Sequence, residues 1–231
     1  MSTLASQIIT RALIVLQDVD AVRWSFAELY EWVYDAQLAI VLAKPSALAA
    51  SVAIEMQPGT LQKLATPGHL SLLRVTRNLQ GPAEARTGGR AVRPTTRDIL
   101  DTTAPDWHFA SPKAEVRQIV FDEACPREFY IYPANNGSGV VEAVVALTPE
   151  MPAITGDATV IESYAVPLAL PEIYMLPVLD FVLYRAYSKD AAGADAGRAT
   201  FHYQQFATAV GIKIQVESGT SPNVRAGVTA S

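Results

Sequence analysis

The sequence predicts an α+β fold, in which helices from both chain ends build one discontinuous four-helix bundle and an antiparallel β module is inserted between them. Three observations support this prediction. Apolar residues recur at helical spacing before residue 45 and again after residue 171, whereas about a hundred of the residues between them alternate in the manner of strands. The predicted domains are residues 1–45 plus 171–211 (helical), 46–170 (β-rich) and 212–231 (an extended C-terminal tail).

The first helix follows a start signal at Ser2 or Thr3, either of which can act as an N-cap. Leucines and isoleucines then lie near one face, which is typical of an amphipathic helix packed on a core. A short acidic link, Asp18-Val19-Asp20, follows. The spacing therefore predicts a helix that ends near Leu16.

The second helix has a sharper start signal. Ser25 and Glu28 form an S-x-x-E capping box, and the preceding Trp24 can pack on Leu29 as a hydrophobic staple. We expect this helix to stop at residue 43 or 44, because Pro45 disfavours helical backbone in the residue before it.

The middle of the chain is predicted to be a series of strands separated by turns. Alternating apolar residues mark the strands, and Pro-Gly pairs at residues 58–59 and 67–68 mark two turns. A short polar helix is expected at Thr95–Asp101. The predicted long strands are Ser51–Met56, Leu70–Leu79, Glu115–Phe121, Phe129–Tyr132 and Val140–Leu147.

Helical spacing returns near Pro171, where Ile173, Leu176 and Leu179 begin an apolar stripe. Pro177 within this stripe either kinks the helix or marks its first turn. A break is expected at residues 188–193, and a last helix at 194–210 with Gly211 as its C-cap. The side chains predicted to fill the helical core are Trp24, Trp32, Tyr184 and Phe206.

The last segment, Lys213–Ser231, has a different composition. It is rich in Gly, Ser and Thr, and Arg225 is the only charged side chain after Glu217. Alone, such a segment is expected to be a flexible tail.

Composition excludes several classes of protein. The net charge is −5, whereas proteins that bind nucleic acid by neutralising phosphates are usually basic. Cys125 is the only cysteine, so neither an internal disulfide nor a thiolate cluster is possible. No apolar run is long enough to cross a bilayer, and the N-terminus has no signal-peptide pattern. A protein without membrane contact, made in a reducing cytoplasm, is expected.

Motifs for catalysis are weak. No nucleophile elbow, metal-binding spacing or phosphate loop is found, so we expect no cofactor, no metal and no enzyme. The best catalytic candidate is Asp106-Trp107-His108, for which a packed tryptophan closing a loop is the favoured interpretation. A hydrolase would need Asp106 and His108 to face a pocket beside Ser138 or Cys125.

One charge feature stands out between residues 74 and 97, where six arginines accompany a single acid, Glu84, for a local charge of +5. A solvated hairpin face, a salt-bridging surface toward a neighbouring subunit and a weak contact with passing DNA all remain open. We call these residues the arginine cluster: Arg74, Arg77, Arg86, Arg90, Arg93 and Arg97.

The order of several short motifs is familiar. The motifs near the C-terminus are Tyr184-Arg185-Ala186-Tyr187-Ser188-Lys189-Asp190, Gly197-Arg198-Ala199 and His202-Tyr203. Those near the start are Leu16-Gln17-Asp18, Arg23-Trp24 and Lys44-Pro45, and those in the middle are Pro105-Asp106-Trp107-His108, Glu115-Val116-Arg117 and Phe129-Tyr130-Ile131-Tyr132-Pro133. The tail contributes Ser221-Pro222-Asn223-Val224-Arg225. Together they resemble phage head-to-tail adaptor proteins, also called connector or head completion proteins, and are similar to the tail tube protein A of short-tailed phages.

The resemblance implies a virion protein that forms a homo-oligomeric ring, usually dodecameric, beneath the portal protein. The helical domain would form the ring wall around a channel through which DNA passes without specific binding. The tail would dock on the portal through Ser221, Pro222, Asn223, Val224 and Arg225, and the β module would face the next tail or nozzle protein. Arg74, Arg77, Arg90, Arg93 and Arg97 would then lie on a subunit or partner interface.

Two rival functions remain open. One is the hydrolase described above. The other is a host- or glycan-binding tail component that carries its β module on helices. It predicts exposed aromatic side chains, for which Trp107, Tyr130 and Tyr132 are the candidates.

Overall fold

The computed structural model describes residues 3–122, 124–189 and 196–220, with side chains described as far as residue 211. Within this range the chain is a mixed α+β protein with five helices and two sheets. It divides into two compact units. The helical unit comprises the described residues of Met1–Leu48 and Thr148–Ser221, and the β unit comprises those of Ala49–Leu147.

Helix α1 spans Ala5–Leu16 and helix α2 spans Phe26–Ala43. Leu4 rather than Thr3 occupies the N-cap of α1, and the Leu4 N–H donates to Gln7 Oε1 at 3.1 Å. The predicted cap at Thr3 is therefore wrong by one residue, because a glutamine inside the first turn supplies the acceptor. The alternative cap, Ser2, lies outside the described residues.

Asp18 fixes the link between α1 and α2. Its carboxylate accepts backbone N–H bonds from Val22, Arg23 and Trp24 at 3.0, 2.9 and 3.0 Å. Desolvation alone would raise the pKa of Asp18, but these three bonds and the Arg23 charge outweigh it, so the pKa lies below its usual range. The ionised carboxylate thus holds the turn that precedes α2.

We expect Asp18→Ala to lower the free energy of unfolding by about 1–2 kcal/mol, as loss of a helix cap does. Because the folded-state pKa is depressed, the contribution is complete at neutral pH and is lost as pH falls below the ordinary aspartate pKa, about 3.9. Urea unfolding at several pH values measures it. Asp20→Ala is the matched control, and an equal loss in both variants would contradict this role.

The start and end of α2 confirm the sequence prediction. Ser25 is the N-cap, and its Oγ accepts from the Glu28 N–H at 3.3 Å. The Glu28 carboxylate pairs with Lys189 of a later helix, so it links two elements instead of completing the capping box. The helix ends at Ala43, two residues before Pro45.

Helix α4 spans Met175–Lys189 and helix α5 spans Ala196–Thr220. Pro177 lies in the first turn of α4, where its missing N–H costs no helical bond. The predicted C-cap at Gly211 is wrong, because α5 continues through it to Thr220. A glycine inside a helix costs only about 1 kcal/mol, so it does not by itself end the helix. The extended tail predicted from residue 212 can therefore begin no earlier than residue 221.

Side chains from α1, α2, α4 and α5 share one hydrophobic cluster, together with residues 164–174. Trp24, Trp32 and Phe206 are buried in it as predicted, whereas Tyr184 is only half-buried and contacts Phe181 and Tyr203. Other members of the cluster include Ile8, Ile9, Leu29, Val33, Ile40, Tyr164, Val178, Val182 and Val210.

The apolar stripe predicted at the start of α4 has the wrong phase. Ile173 and Leu176 are exposed, while Tyr174 and Val178 are buried. The buried residues Tyr174, Val178, Val182 and Ala186 follow one another at a spacing of four, so the buried stripe lies on the neighbouring face of the helix.

The β unit contains two four-stranded sheets with the orders β1-β8-β3-β4 and β2-β7-β6-β5. All pairs are antiparallel except β5 with β6, which is parallel, so the prediction of a purely antiparallel module is wrong at that edge. The strands are β1 Ala49–Glu55, β2 Gly59–Lys63, β3 His69–Gln80, β4 Thr87–Ala91, β5 Arg93–Pro94, β6 Gln118–Phe121, β7 Glu128–Asn135 and β8 Val140–Leu147. The short helix α3 spans Arg97–Thr103.

The β unit has its own core between the two sheets. Phe129 and Ile131 of β7 face Val141, Ala143 and Val145 of β8 within one cluster. Asn78 adds a buried polar link, because its amide donates to the Arg90 and Val116 carbonyls at 2.8 and 2.7 Å and accepts from the Val116 N–H at 2.8 Å. None of the helices in the described ranges is both long enough and apolar enough to cross a membrane.

Candidate interaction surfaces

The arginine cluster lies on the surface of the β unit. Arg74 and Arg77 are on β3, Arg86 precedes β4, Arg90 is on β4, Arg93 begins β5 and Arg97 begins α3. All six side chains are exposed except that of Arg86, which is half-buried. The cluster therefore follows one continuous stretch of chain from β3 to α3.

Acidic side chains from other parts of the β unit neutralise four of these arginines. The ion pairs are Arg77–Glu142 at 2.6 Å, Arg90–Glu115 at 3.3 Å, Arg86–Glu55 at 3.4 Å and Arg97–Asp101 at 3.5 Å. All four acids lie outside the stretch from 74 to 97, so the local charge of +5 in the sequence is mostly cancelled in space. Most of the cluster is therefore paired within the β unit.

Arg74 and Arg93 are different. Within residues 3–122, 124–189 and 196–220, neither guanidinium has a carboxylate within ion-pair distance. Both are exposed, which leaves two positive charges available to a partner. The sequence alone could not separate these two arginines from the other four, because the neutralising acids come from distant strands.

Charge also differs between the two units. Residues 49–147 contain ten basic and ten acidic side chains, which cancel. Residues 1–48 and 148–221 contain seven basic and thirteen acidic side chains, a net charge of −6. The negative charge of the protein thus belongs to the helical unit.

The helical unit also has a groove of about 660 Å³ along the first turns of α1. Its other wall is formed by the 3-10 turn Ile161–Tyr164 and by Glu172 and Met175. Arg11 crosses the groove, where its Nη1 donates to Met175 Sδ at 3.4 Å. The described lining contains hydroxyl and carboxylate groups but neither histidine nor cysteine, so it offers no nucleophile–base pair.

The catalytic candidate Asp106-Trp107-His108 closes a loop. Trp107 is only 1% exposed, and its Nε1 donates to Asp101 Oδ1 at 2.7 Å. Its ring stacks on His108, with 3.6 Å between centroids, and His108 Nδ1 lies 2.9 Å from Thr60 Oγ1. The packed tryptophan that the sequence favoured is therefore confirmed.

The nucleophile candidates take part in other local contacts. Ser138 Oγ donates to Asn136 Oδ1 at 2.7 Å in a turn, and Cys125 is exposed after β6. Among the described residues, no group of three or more His, Cys, Asp or Glu side chains is placed to hold a metal ion. The contacts of His108 thus give no support to a hydrolytic site.

The burial of the aromatic side chains argues against a glycan site at the predicted position. Trp107 is buried, and Tyr130 and Tyr132 are half-buried against it. Phe109, which no motif in the sequence singles out, is 90% exposed directly after His108. Its N–H donates to the Asp106 carbonyl at 2.8 Å, which holds the backbone of this turn. A large exposed aromatic side chain is typical of a protein contact.

The tail residues Ser221, Pro222, Asn223, Val224 and Arg225 lie outside the described residues, so their role stays a prediction. The model of the protein family described as SU10 adaptor protein matches residues 3–226. That span covers nearly the whole chain, including both units and most of the tail. No curated protein matches the chain.

Proposed function

Since the chain belongs to the SU10 adaptor protein family, we propose that it forms a ring between the capsid portal and the tail of a phage virion and docks on the portal through its C-terminal tail. Membership makes it a structural phage protein and confirms the resemblance to head-to-tail adaptors. What we propose beyond family membership is the ring, its dodecameric copy number, the portal contact and the DNA channel.

The family match carries the proposal, and the physical character of the chain supports it. Interaction surfaces, rather than a catalytic pocket, are the main features of the described residues. A ring requires two different faces on each subunit. An exposed aromatic such as Phe109, together with the uncompensated Arg74 and Arg93, could serve such faces.

We further propose that α1, α2, α4 and α5 form a four-helix bundle, predicted from residues 1–45 plus 171–211, and that this bundle is the ring wall. Their shared hydrophobic cluster supports a common core. The net charge of −6 on the helical unit suits a channel wall, because tight phosphate binding would stall DNA in transit. The β-rich domain predicted from residues 46–170 would then face the next tail or nozzle protein.

Depletion of this chain during infection tests the proposed function. Without it, the phage that encodes it is expected to accumulate DNA-filled or DNA-leaking heads that lack tails, which electron microscopy would show. Expression of the chain from a plasmid should restore tailed particles. Fully tailed, infectious particles in its absence would overturn the proposal.

The arginine cluster supplies a separate test of the interface. Reversing Arg74 and Arg93 to glutamate should weaken the assembly of complete rings on the portal about tenfold or more, because charges that face a neighbouring subunit would then repel it. Lys113→Glu is the matched control for each single reversal, Arg74→Glu and Arg93→Glu, since it makes the same change in net charge at an exposed position of the β unit that takes part in none of the ion pairs of the described residues. Sedimentation of the double, single and control variants with portal rings measures the effect. Single reversals that assemble as well as Lys113→Glu does would contradict an interface at Arg74 and Arg93.

A further inference from the structure

The outer face of α5 lacks the charges that a solvated helix normally carries. After Arg198, every exposed side chain as far as residue 211 is uncharged. Phe201, Gln204 and Thr208 lie along this face at spacings of three and four residues, and Phe201 is 54% exposed. Protein interfaces are depleted of charged residues and enriched in aromatic ones. The outer face of α5 therefore has the composition of a protein contact.

Helix α1 has a second outer face of this kind. Its only charged residue is Arg11. Ile14 and Val15 are 60% and 44% exposed, and they continue a stripe of exposed side chains that includes Gln7 and Arg11. Adjacent exposed aliphatic side chains favour a contact that covers them. The stripe on α1 contains no acidic residue.

Helix α4 separates these two faces. In the described part of the helical unit, α1 packs on α2 and α4, whereas α5 packs chiefly on α4. Ile9 and Leu13 of α1 and Phe206 and Val210 of α5 are buried in the shared cluster. Because each helix turns its buried side toward that cluster, the outer faces of α1 and α5 lie on different sides of the unit. A subunit in a ring needs two such different faces, one for each neighbour.

The distribution of acidic residues indicates which partner these faces fit. The helical unit has thirteen acidic side chains, but none of them belongs to α1 or to residues 196–211 of α5. Both α2 and α4 contain acidic residues. Two copies of a unit with a net charge of −6 repel each other where their acids are brought together. The unit can therefore meet a copy of itself through α1 and α5 without that repulsion.

We propose that the outer face of α5 in one subunit packs on the outer face of α1 in the next copy of the chain. This contact deepens the proposed function and rests on it, since a head-to-tail contact repeated around an axis closes a ring. Neighbouring chains docked on one portal are at high effective concentration, so a contact of modest affinity is sufficient.

Arg11 is compatible with this pairing although it is charged. A guanidinium can lie over an aromatic ring and then requires no carboxylate partner. The outer face of α5 supplies such a ring in Phe201. Among the described residues of its own chain, Arg11 donates to Met175 Sδ, which leaves most of its N–H groups available to a neighbour.

An acid placed on either face tests the interface. Ile14→Asp and Phe201→Asp should each lower the yield of complete rings on the portal about tenfold or more, because each puts a charge into an uncharged contact. Native mass of the portal complexes counts the bound chains. All the altered side chains are exposed, and urea unfolding should confirm that each variant is as stable as the unchanged chain.

Leu42→Asp is the matched control. Leu42 is an aliphatic side chain of the same helical unit and is 82% exposed, but it lies on α2, where Glu31 is also exposed. This variant should form complete rings as the unchanged chain does. An equal loss in Leu42→Asp, or complete rings from Ile14→Asp and Phe201→Asp at the unchanged yield, would overturn the proposal.

A mixing experiment tests whether the two faces meet each other. Chains with Ile14→Asp and chains with Phe201→Lys should each assemble poorly alone. Mixed in equal amounts, they should recover complete rings, since the acid of one variant then faces the base of the other, and the unaltered faces meet at the alternate contacts. Absence of recovery would overturn the pairing of α5 with α1.

The unchanged chain keeps two kinds of failure apart. If it forms complete rings and the substitutions on α1 and α5 have no effect, the adaptor function stands and only this interface is wrong. If the unchanged chain does not bind the portal at all, the proposed function itself fails.

Discussion

A chain truncated after Thr220 should lose at least about a hundredfold in affinity for the portal, which corresponds to about 2.8 kcal/mol. The reason is that the proposed contact is made by residues 221–225, and a segment that orders on its partner can supply most of an interface. The cut spares α5, which the structure extends to Thr220. Co-sedimentation of the truncated and full chains with purified portal rings measures the loss.

The matched control keeps the chain length constant. Replacing residues 221–225 by alternating glycine and serine should reproduce the loss, whereas the same replacement of residues 227–231 should affect docking far less. Circular dichroism should be unchanged in all three variants, because the helices and sheets described above do not include these residues. Truncated protein that bound the portal as well as the full chain would remove the docking role of the tail.

Trp32→Ala should destabilise the helical unit by about 3–5 kcal/mol, the range for removing a large aromatic side chain from a core. Trp32 lies on α2 and is buried in the cluster shared by α1, α2, α4 and α5. Lys189 of α4 lies over its ring, at 6.0 Å from the centroid, so the side chain also joins two helices. Urea unfolding followed by the helical circular dichroism signal measures the effect.

Phe109→Ala is the control for that experiment. It removes a similarly large aromatic ring from a site that is 90% exposed, so it should change the free energy of unfolding by less than about 0.5 kcal/mol. A loss below about 1 kcal/mol in Trp32→Ala would show that the shared core does not depend on this residue. The proposed bundle would then need another basis.

Sequence reasoning succeeded where a local signal determines the backbone. The cap at Ser25 and the stop before Pro45 gave the bounds of α2, since both effects act within a few residues. Strand β8 was predicted with its observed bounds, Val140–Leu147, because an unbroken apolar run between turn signals leaves little alternative. The loop of Trp107 and His108 was likewise interpreted correctly as packing.

The sequence predictions that were wrong share a physical cause, because contacts between residues distant in the sequence determine those parts of the structure. The neutralisation of Arg77 by Glu142 joins residues 65 positions apart, and no local pattern reveals it. The parallel pairing of β5 with β6 depends on where α3 and its loop return the chain. The end of α5 was placed at Gly211 on a local rule, although a glycine ends a helix only where its backbone turns left-handed.

The candidate surfaces show the same difference between features with a local signal and features set by distant residues. Composition and spacing located the arginine cluster, but they could not identify Arg74 and Arg93 as the two arginines without an acidic partner in the described residues. Phe109 was overlooked because exposure of an aromatic side chain has no signature in a single sequence. Its position depends on Trp107 being anchored by Asp101 and Tyr130.

The native mass of the full chain, alone and mixed with its portal, tests the adaptor role most directly. A single complex is predicted, in which the portal ring gains a whole number of chains equal to the copy number of the portal or a simple fraction of it. A portal mass that stays unchanged at micromolar concentrations of the chain would contradict the account.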